Sequence, residues 1–144
     1  IIFTDDEFSI DENLTLFTCN EKKRNFSLLP SGLNTFENGR FVPDDFRHEH
    51  YLLIEENGKK VLISGCSHKG ICDITDWFKA DILVGGFHLS KYPLDEKLIS
   101  IADKLNSSHT QFYTCHCTGT EQYNFMKKFM NKLSYLSCGE TIVL

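Results

Sequence analysis

At 144 residues, with 41% hydrophobic and 24% charged side chains, the chain has the size and composition of one ordinary globular domain. A formal net charge of -5 argues against nucleic-acid partners, which call for a basic patch. No apolar run approaches the roughly 20 residues that span a bilayer, and the opening IIFTDDEF lacks the basic start and apolar stretch of a secretory signal.

Residues 1–57 read as a β-rich, irregular part. NLTLFTC (13–19) alternates like a strand, and residues 20–45 form a polar excursion rich in Pro, Gly and Asn turn chemistry. HYLLIEENGKKVLISG (50–65) reads as a hairpin, with two apolar runs about Asn57-Gly58, the strongest short turn signal. Residues 58–144 then alternate as βαβαβαβ within the same single domain. KVLIS (60–64) is a strand, ICDITDWFKA (71–80) a short helix and DILVGGF (81–87) a strand. Residues 93–108 make a helix with Leu94, Leu98, Ile101, Ala102 and Leu105 on one face. QFYTC (111–115) is a strand, and residues 120–134 a helix aligning Tyr123, Met126, Phe129, Met130 and Leu133. ETIVL (140–144) closes as a strand. Helical stripes between short apolar runs imply a largely parallel sheet with right-handed crossovers, and the stripes themselves are core.

The six cysteines are Cys19, Cys66, Cys72, Cys115, Cys117 and Cys138. They belong to a chain with enough β-branched and aromatic residues to build a core without covalent staples, and several stand beside histidines. Reduced thiols and a cytoplasmic setting follow. The chain starts at Ile1, inside an apolar run, and so reads as a fragment of a longer one.

Three strands of the parallel part run into histidines. VLIS leads to Gly65-Cys66-Ser67-His68, DILV to Gly85-Gly86-Phe87-His88, and QFYT to Cys115-His116-Cys117. In open α/β sheets ligands bind outside the carboxyl ends of the strands, so these histidines converge on one edge. A single histidine there is ordinarily a loop residue; three at equivalent positions point to a shared site. His109 reads as surface, and His48 and His50 as hairpin-entry residues, with Glu49 between them able to reach the same edge. Imidazole is the commonest metal ligand, and zinc suits nitrogen, sulfur and carboxylate donors. Cys66 is either a thiolate ligand or a plain loop residue. Cys115 and Cys117 flank His116, and on an extended backbone they point away from it, into packing. Thr118 and Glu121 match a capping box that starts the last helix just after His116. Its free N–H groups suit a substrate phosphate or carboxylate, and glycines at the strand ends allow close backbone approach; Gly86, Thr118 and Gly119 are the substrate-binding candidates.

Together LISGCSHKGICDI (62–74), ILVGGFHL (82–89) and CHCTGTEQ (115–122) resemble the C-terminal half of metallo-β-lactamase-fold proteins. The nearest branch is the dihydropterin ribofuranosylaminobenzene phosphate synthase-like one, and the resemblance runs over about residues 44–144. It implies an α/β fold: one half of an αββα sandwich, a mixed sheet with helices on its outer face. It also implies one or two metal ions, usually zinc, in the cleft between two similar halves, activating water against an ester, phosphoester or amide-like bond. By that likeness His116 and His68 are metal ligands, and Cys66 stands where many relatives carry a bridging aspartate. His88 is a ligand, a supporting partner or a proton donor, and is the catalytic candidate.

The H-x-H-x-D-H motif of the first half is absent, and His48-Glu49-His50 does not replace it. The chain therefore reads as half of a metal-dependent hydrolase, inactive alone, whose partners are a small-molecule substrate and its own N-terminal half, with no nucleic acid and no membrane. One alternative is a non-catalytic ligand- or partner-binding module of degenerate fold, whose open face drives self-association into a homo-oligomer. Another is a thiol-redox or metal-sensing protein using Cys66, Cys115 and Cys117.

Overall fold

A computed structural model describes residues 1–26, 29 and 32–143. Among the described residues nine strands and three α-helices follow in order. They are β1 (Glu7–Ser9), β2 (Leu14–Phe17), β3 (Asn34–Glu37), β4 (Arg40–Pro43), β5 (Tyr51–Glu56), β6 (Lys59–Ser64), α1 (Ile71–Phe78), β7 (Ile82–Gly85), α2 (Glu96–Asn106), β8 (Gln111–Thr114), α3 (Thr120–Met126) and β9 (Leu133–Tyr135). Seven of the strands make one mixed sheet in the order β1-β2-β5-β6-β7-β8-β9, and β3 and β4 make a separate hairpin. The first four are antiparallel, and β6 through β9 are parallel.

The β5–β6 hairpin follows from its sequence. Each arm carries an unbroken apolar run, Leu52-Leu53-Ile54 and Val61-Leu62-Ile63, and Asn57 and Gly58 take φ of 52° and 74°, the left-handed pair that a tight hairpin turn demands. Beside the turn, Lys60 Nζ lies 3.0 Å from Glu55 across the strands, an exposed pair that contributes ~0–1 kcal/mol. The helix α2 starts at Asp95, whose carboxylate accepts from the backbone N–H of Lys97 and Leu98; such a cap stabilises by about 1 kcal/mol.

The two faces of the sheet differ. Tyr51, Leu53, Leu62, Leu83, Phe112 and Leu133 point to one face and form the core with Leu98, Ala102 and Leu105 of α2, Ile71 and Ile74 of α1, and Met126 and Met130 around α3. Each such aliphatic or aromatic side chain contributes roughly 1.5–3 kcal/mol by leaving water. Ile101, Tyr123 and Phe129 pack at its margin, while Leu94 stays 47% exposed. The alternate residues face the other way. Leu16, Leu52, Ile54, Val61 and Val84 are only half-buried, and Ile63 is 38% exposed. Helices therefore cover one face of the sheet, and a contiguous apolar strip lies open on the other.

Four sequence expectations differ from the structure. The strand at 140–144 is absent: residues 141–143 have no regular structure, Leu144 lies outside the described residues, and β9 closes the sheet instead. The last helix stops at Met126 rather than Ser134, because bonds from Lys128 N–H to Phe125 and from Phe129 N–H to Met126 tighten the chain into turns that feed β9. The excursion over 20–45 contains the β3–β4 hairpin, with Asn38 and Gly39 at φ of 50° and 80°; its Ser27, Leu28, Pro30 and Ser31 lie outside the described residues. The capping box is not formed. The N-cap of α3 is Gly119, with no side-chain bond, because the Thr118 hydroxyl is taken by Thr114 Oγ1 and the backbone N–H of Phe87. Among the described residues no helix is long and apolar enough to cross a membrane.

Candidate functional site

The parallel strands β6, β7 and β8 end side by side, and their loops meet beyond those ends. Each loop turns sharply through a non-glycine residue in the left-handed region: Ser67 at φ 57°, His88 at 52° and His116 at 50°. Such conformations cost on the order of 1–3 kcal/mol each and cluster where function holds the chain in place. The loops are tied by main-chain bonds, Gly86 N–H to Gly65 O at 2.8 Å and Ser90 N–H to Cys117 O at 3.1 Å.

Two neighbouring clusters result. In the first, the rings of His68 and His88 lie 4.4 Å apart, and His68 stacks on Phe46 at 4.3 Å. Glu49, buried, accepts from the His68 backbone N–H (2.8 Å), His68 Nδ1 (3.1 Å), the Lys69 N–H (3.2 Å) and the Tyr51 hydroxyl (2.5 Å). A carboxylate accepts only, so Nδ1 of His68 carries the proton and Nε2 is left free. Burial, and then the charge of Glu49, pushes the Tyr51 phenol far up, so it remains a donor to that carboxylate. Lys69 is fully buried, its ammonium donating to Thr18 O and Asn20 Oδ1, with burial lowering its pKa. Nδ1 of His88 is buried with no protein hydrogen-bond partner, and burial, then His68, lowers its pKa. A cavity of about 330 Å³ opens on this cluster, with Phe46, Phe87, Tyr92, Arg24 and Asp44 in its walls.

The second cluster is Cys66, His116 and Cys117, whose donor atoms all lie within 4.8 Å of one another. The expectation that Cys117 points away from His116 assumed an extended backbone. His116 instead begins a 3-10 turn, His116–Thr118, closed by the Thr118 N–H on Cys115 O, and this swings Cys117 back to the site. The Cys117 sulfur accepts from the His88 N–H at 3.3 Å and faces Cys66 O at 3.6 Å. Burial pushes its thiol up to about 12, against the pull of that N–H donor. Burial, then Cys66, also raises the Cys115 thiol, and Cys115 lines a shallow depression with His116 and Cys138. All six cysteines are unpaired.

The structure thus brings His68 and His88 together, and His116 together with Cys66, but His68 does not join the second group. Gly86 and Gly119 face protein atoms: a Cβ on Gly86 would lie 2.5 Å from the Cys117 sulfur, and one on Gly119 2.3 Å from Gln122 Oε1. With the Thr118 hydroxyl already engaged, these three residues shape the loops from within. His109 is surface, 3.7 Å from Asp81, and His48 is exposed beside Asp44. A donor set of two sulfurs and an imidazole, from loops held by main-chain bonds, fits a metal ion that takes sulfur and nitrogen ligands.

Comparison with known proteins agrees with this architecture, although no family model matches the chain. It is 34% identical over 132 residues to the 7,8-dihydropterin-6-methyl-4-(β-D-ribofuranosyl)-aminobenzene-5'-phosphate synthase of Methanocaldococcus jannaschii, covering 85% of this chain and 45% of that protein. An uncharacterized protein of the same organism is 32% identical over 105 residues, covering 70% and 36%. The crystal structure of Tm1679, a metal-dependent hydrolase of the β-lactamase superfamily, superposes over all of this chain and 58% of its own, with a TM-score of 0.78 and 26% identity. The chain spans less than half the length of the curated relatives it matches. In fold the chain is similar to the β-lactamase-superfamily hydrolase, and in sequence to the dihydropterin ribofuranosylaminobenzene phosphate synthase.

Proposed function

We propose that the chain is the C-terminal half of a cytoplasmic, zinc-dependent hydrolase that cuts an ester, phosphoester or amide-like bond. The carrying observation is a pair of neighbouring clusters, His68 with His88 and His116 with Cys66, beyond the ends of three parallel strands. His116 and Cys66 hold an ion, and His68, its Nε2 freed by Glu49, faces a neighbouring position, so that one or two zinc ions are bound between this half and the other. Such an ion supplies Lewis-acid chemistry, polarising the bond to be cut and acidifying water. His88, kept neutral by burial, moves a proton at the cavity wall. The cavity takes the small-molecule substrate, and its walls of Phe46, Phe87 and Tyr92 suit a ring system such as the pterin in the relative's name.

The open apolar strip on the sheet supports the second part of the reading. An exposed patch of that kind marks an interface, and the relatives carry more than as much chain again. The N-terminal half covers that face and completes the cleft, so this half alone is inactive. The test is His116→Ala in the protein that carries both halves: metal-dependent hydrolysis is abolished while the fold is kept, and wild-type turnover would refute the assignment. If the isolated chain dimerises tightly through the strip and the two-half protein shows no hydrolysis, the non-catalytic binding module takes its place.

A further inference from the structure

The sulfur cluster differs in kind from the histidine pair beside it. Its three donors come from two loops about fifty residues apart, and none is oxygen. Hard cations such as magnesium, calcium and manganese prefer carboxylates and water, whereas thiolates and imidazole select zinc, cobalt or softer ions. Three protein donors with a fourth position open is also the arrangement of catalytic rather than structural zinc. Ligand atoms about a tetrahedral zinc lie ~3.8 Å apart for bonds of about 2.3 Å, so donors already within 4.8 Å need only close slightly. His116 is exposed.

The surroundings of Cys117 point the same way. Gly86 leaves the space its sulfur occupies, since any Cβ there would stand 2.5 Å away. The His88 N–H is directed at that sulfur at 3.3 Å, the kind of donor that stabilises a negatively charged sulfur. Cys115, the other neighbour of His116, does not belong to the group.

We propose that Cys66, His116 and Cys117 form a sulfur-rich site that captures one zinc-type cation on this chain alone, with Cys117 as a ligand and without His68. This rests on the reading that these strand ends bind metal, and it adds which metals and which residues.

The test is titration of the reduced, purified chain with cobalt(II), read by the near-ultraviolet sulfur-to-cobalt charge-transfer absorption. One cobalt per chain is expected, with the full band. Cys66→Ser and Cys117→Ser each halve the band, His116→Ala weakens binding, and Cys115→Ser and His68→Ala leave the band in place. A measurement without variants protects the conclusion from misfolding: cobalt shields Cys66 and Cys117 of the wild-type chain from alkylation and leaves the exposed Cys138 reactive. Cobalt bound without the band, and lost in His68→Ala, would overturn the sulfur site while leaving the histidine-based reading standing. No binding at all, or a band surviving in the Cys66→Ser/Cys117→Ser double variant, would also overturn it.

Discussion

Glu49 holds His68 at two points, accepting its backbone N–H at 2.8 Å and its ring Nδ1 at 3.1 Å through the same carboxylate oxygen. This fixes both the ring orientation and the nitrogen left free for chemistry. Glu49→Gln removes the negative charge and puts an NH2 group where one of the two accepting oxygens stood, so the hold on Nδ1 weakens to a neutral hydrogen bond. Hydrolysis by the two-half protein should fall about 10–100-fold, while cobalt capture by Cys66, His116 and Cys117 persists. Steady-state kinetics and the cobalt spectrum check the two halves of this expectation, and unchanged kinetics would separate Glu49 from the chemistry.

Gly86 and Gly65 make a matched pair of tests. A Cβ on Gly86 meets the Cys117 sulfur at 2.5 Å and Gly65 O at 3.2 Å, whereas one on Gly65 meets nothing within 4 Å. Gly86→Ala should destabilise the chain by roughly 1–3 kcal/mol, as overpacking does, and displace Cys117 from the cluster. Gly65→Ala should do neither. Thermal melts and metal titration of both variants suffice; equal melting temperatures would contradict the packing described.

Cys72 lies in the core, and burial raises its thiol from 9.0 to about 12. The unfolded chain loses this proton first as pH rises, so the folded state binds more protons between those two values. Stability is therefore present below pH 9 and declines as pH rises from 9.0 toward about 12. Cys72→Ala should flatten that part of the denaturant-midpoint profile. An unchanged slope in the variant would assign the alkaline loss to other groups.

Ile63 is 38% exposed in the middle of the open strip, paired with Leu52 and Val84 on the neighbouring strands. Ile63→Asp should reduce concentration-dependent association of the isolated chain in sedimentation, with little loss of its own stability. The same change should weaken the two-half protein, where the strip is covered. Association that ignores this residue would move the interface elsewhere.

Much of this was legible from local pattern. Two apolar runs about Asn57-Gly58 specify the β5–β6 hairpin, and the stripe at Leu98, Ala102 and Leu105 specifies α2. The order of strands and helices after Lys60 puts three histidines at one sheet edge. What was missed depends on contacts distant in sequence or on backbone that only tertiary structure enforces. Asn38-Gly39 carried the same turn signal as Asn57-Gly58, but its flanking residues, exposed Phe36 and Phe41 among them, make no one-sided apolar pattern. Glu49 looks like a surface carboxylate until Tyr51, His68 and Lys69 close around it. Cys117 joins the cluster because His116, not a glycine, takes a left-handed turn, and no propensity foretells that. The last helix ends early because Leu133 has to reach the sheet beside Phe112.

Native mass spectrometry of the reduced, purified chain tests metal binding at these strand ends most directly, because it counts ions per chain without reference to a substrate. One zinc ion on the wild-type chain and a large loss of it in His116→Ala are expected. A wild-type chain that stays metal-free in the presence of zinc, or a His116→Ala chain that keeps its ion, would contradict a metal centre at the ends of β6, β7 and β8.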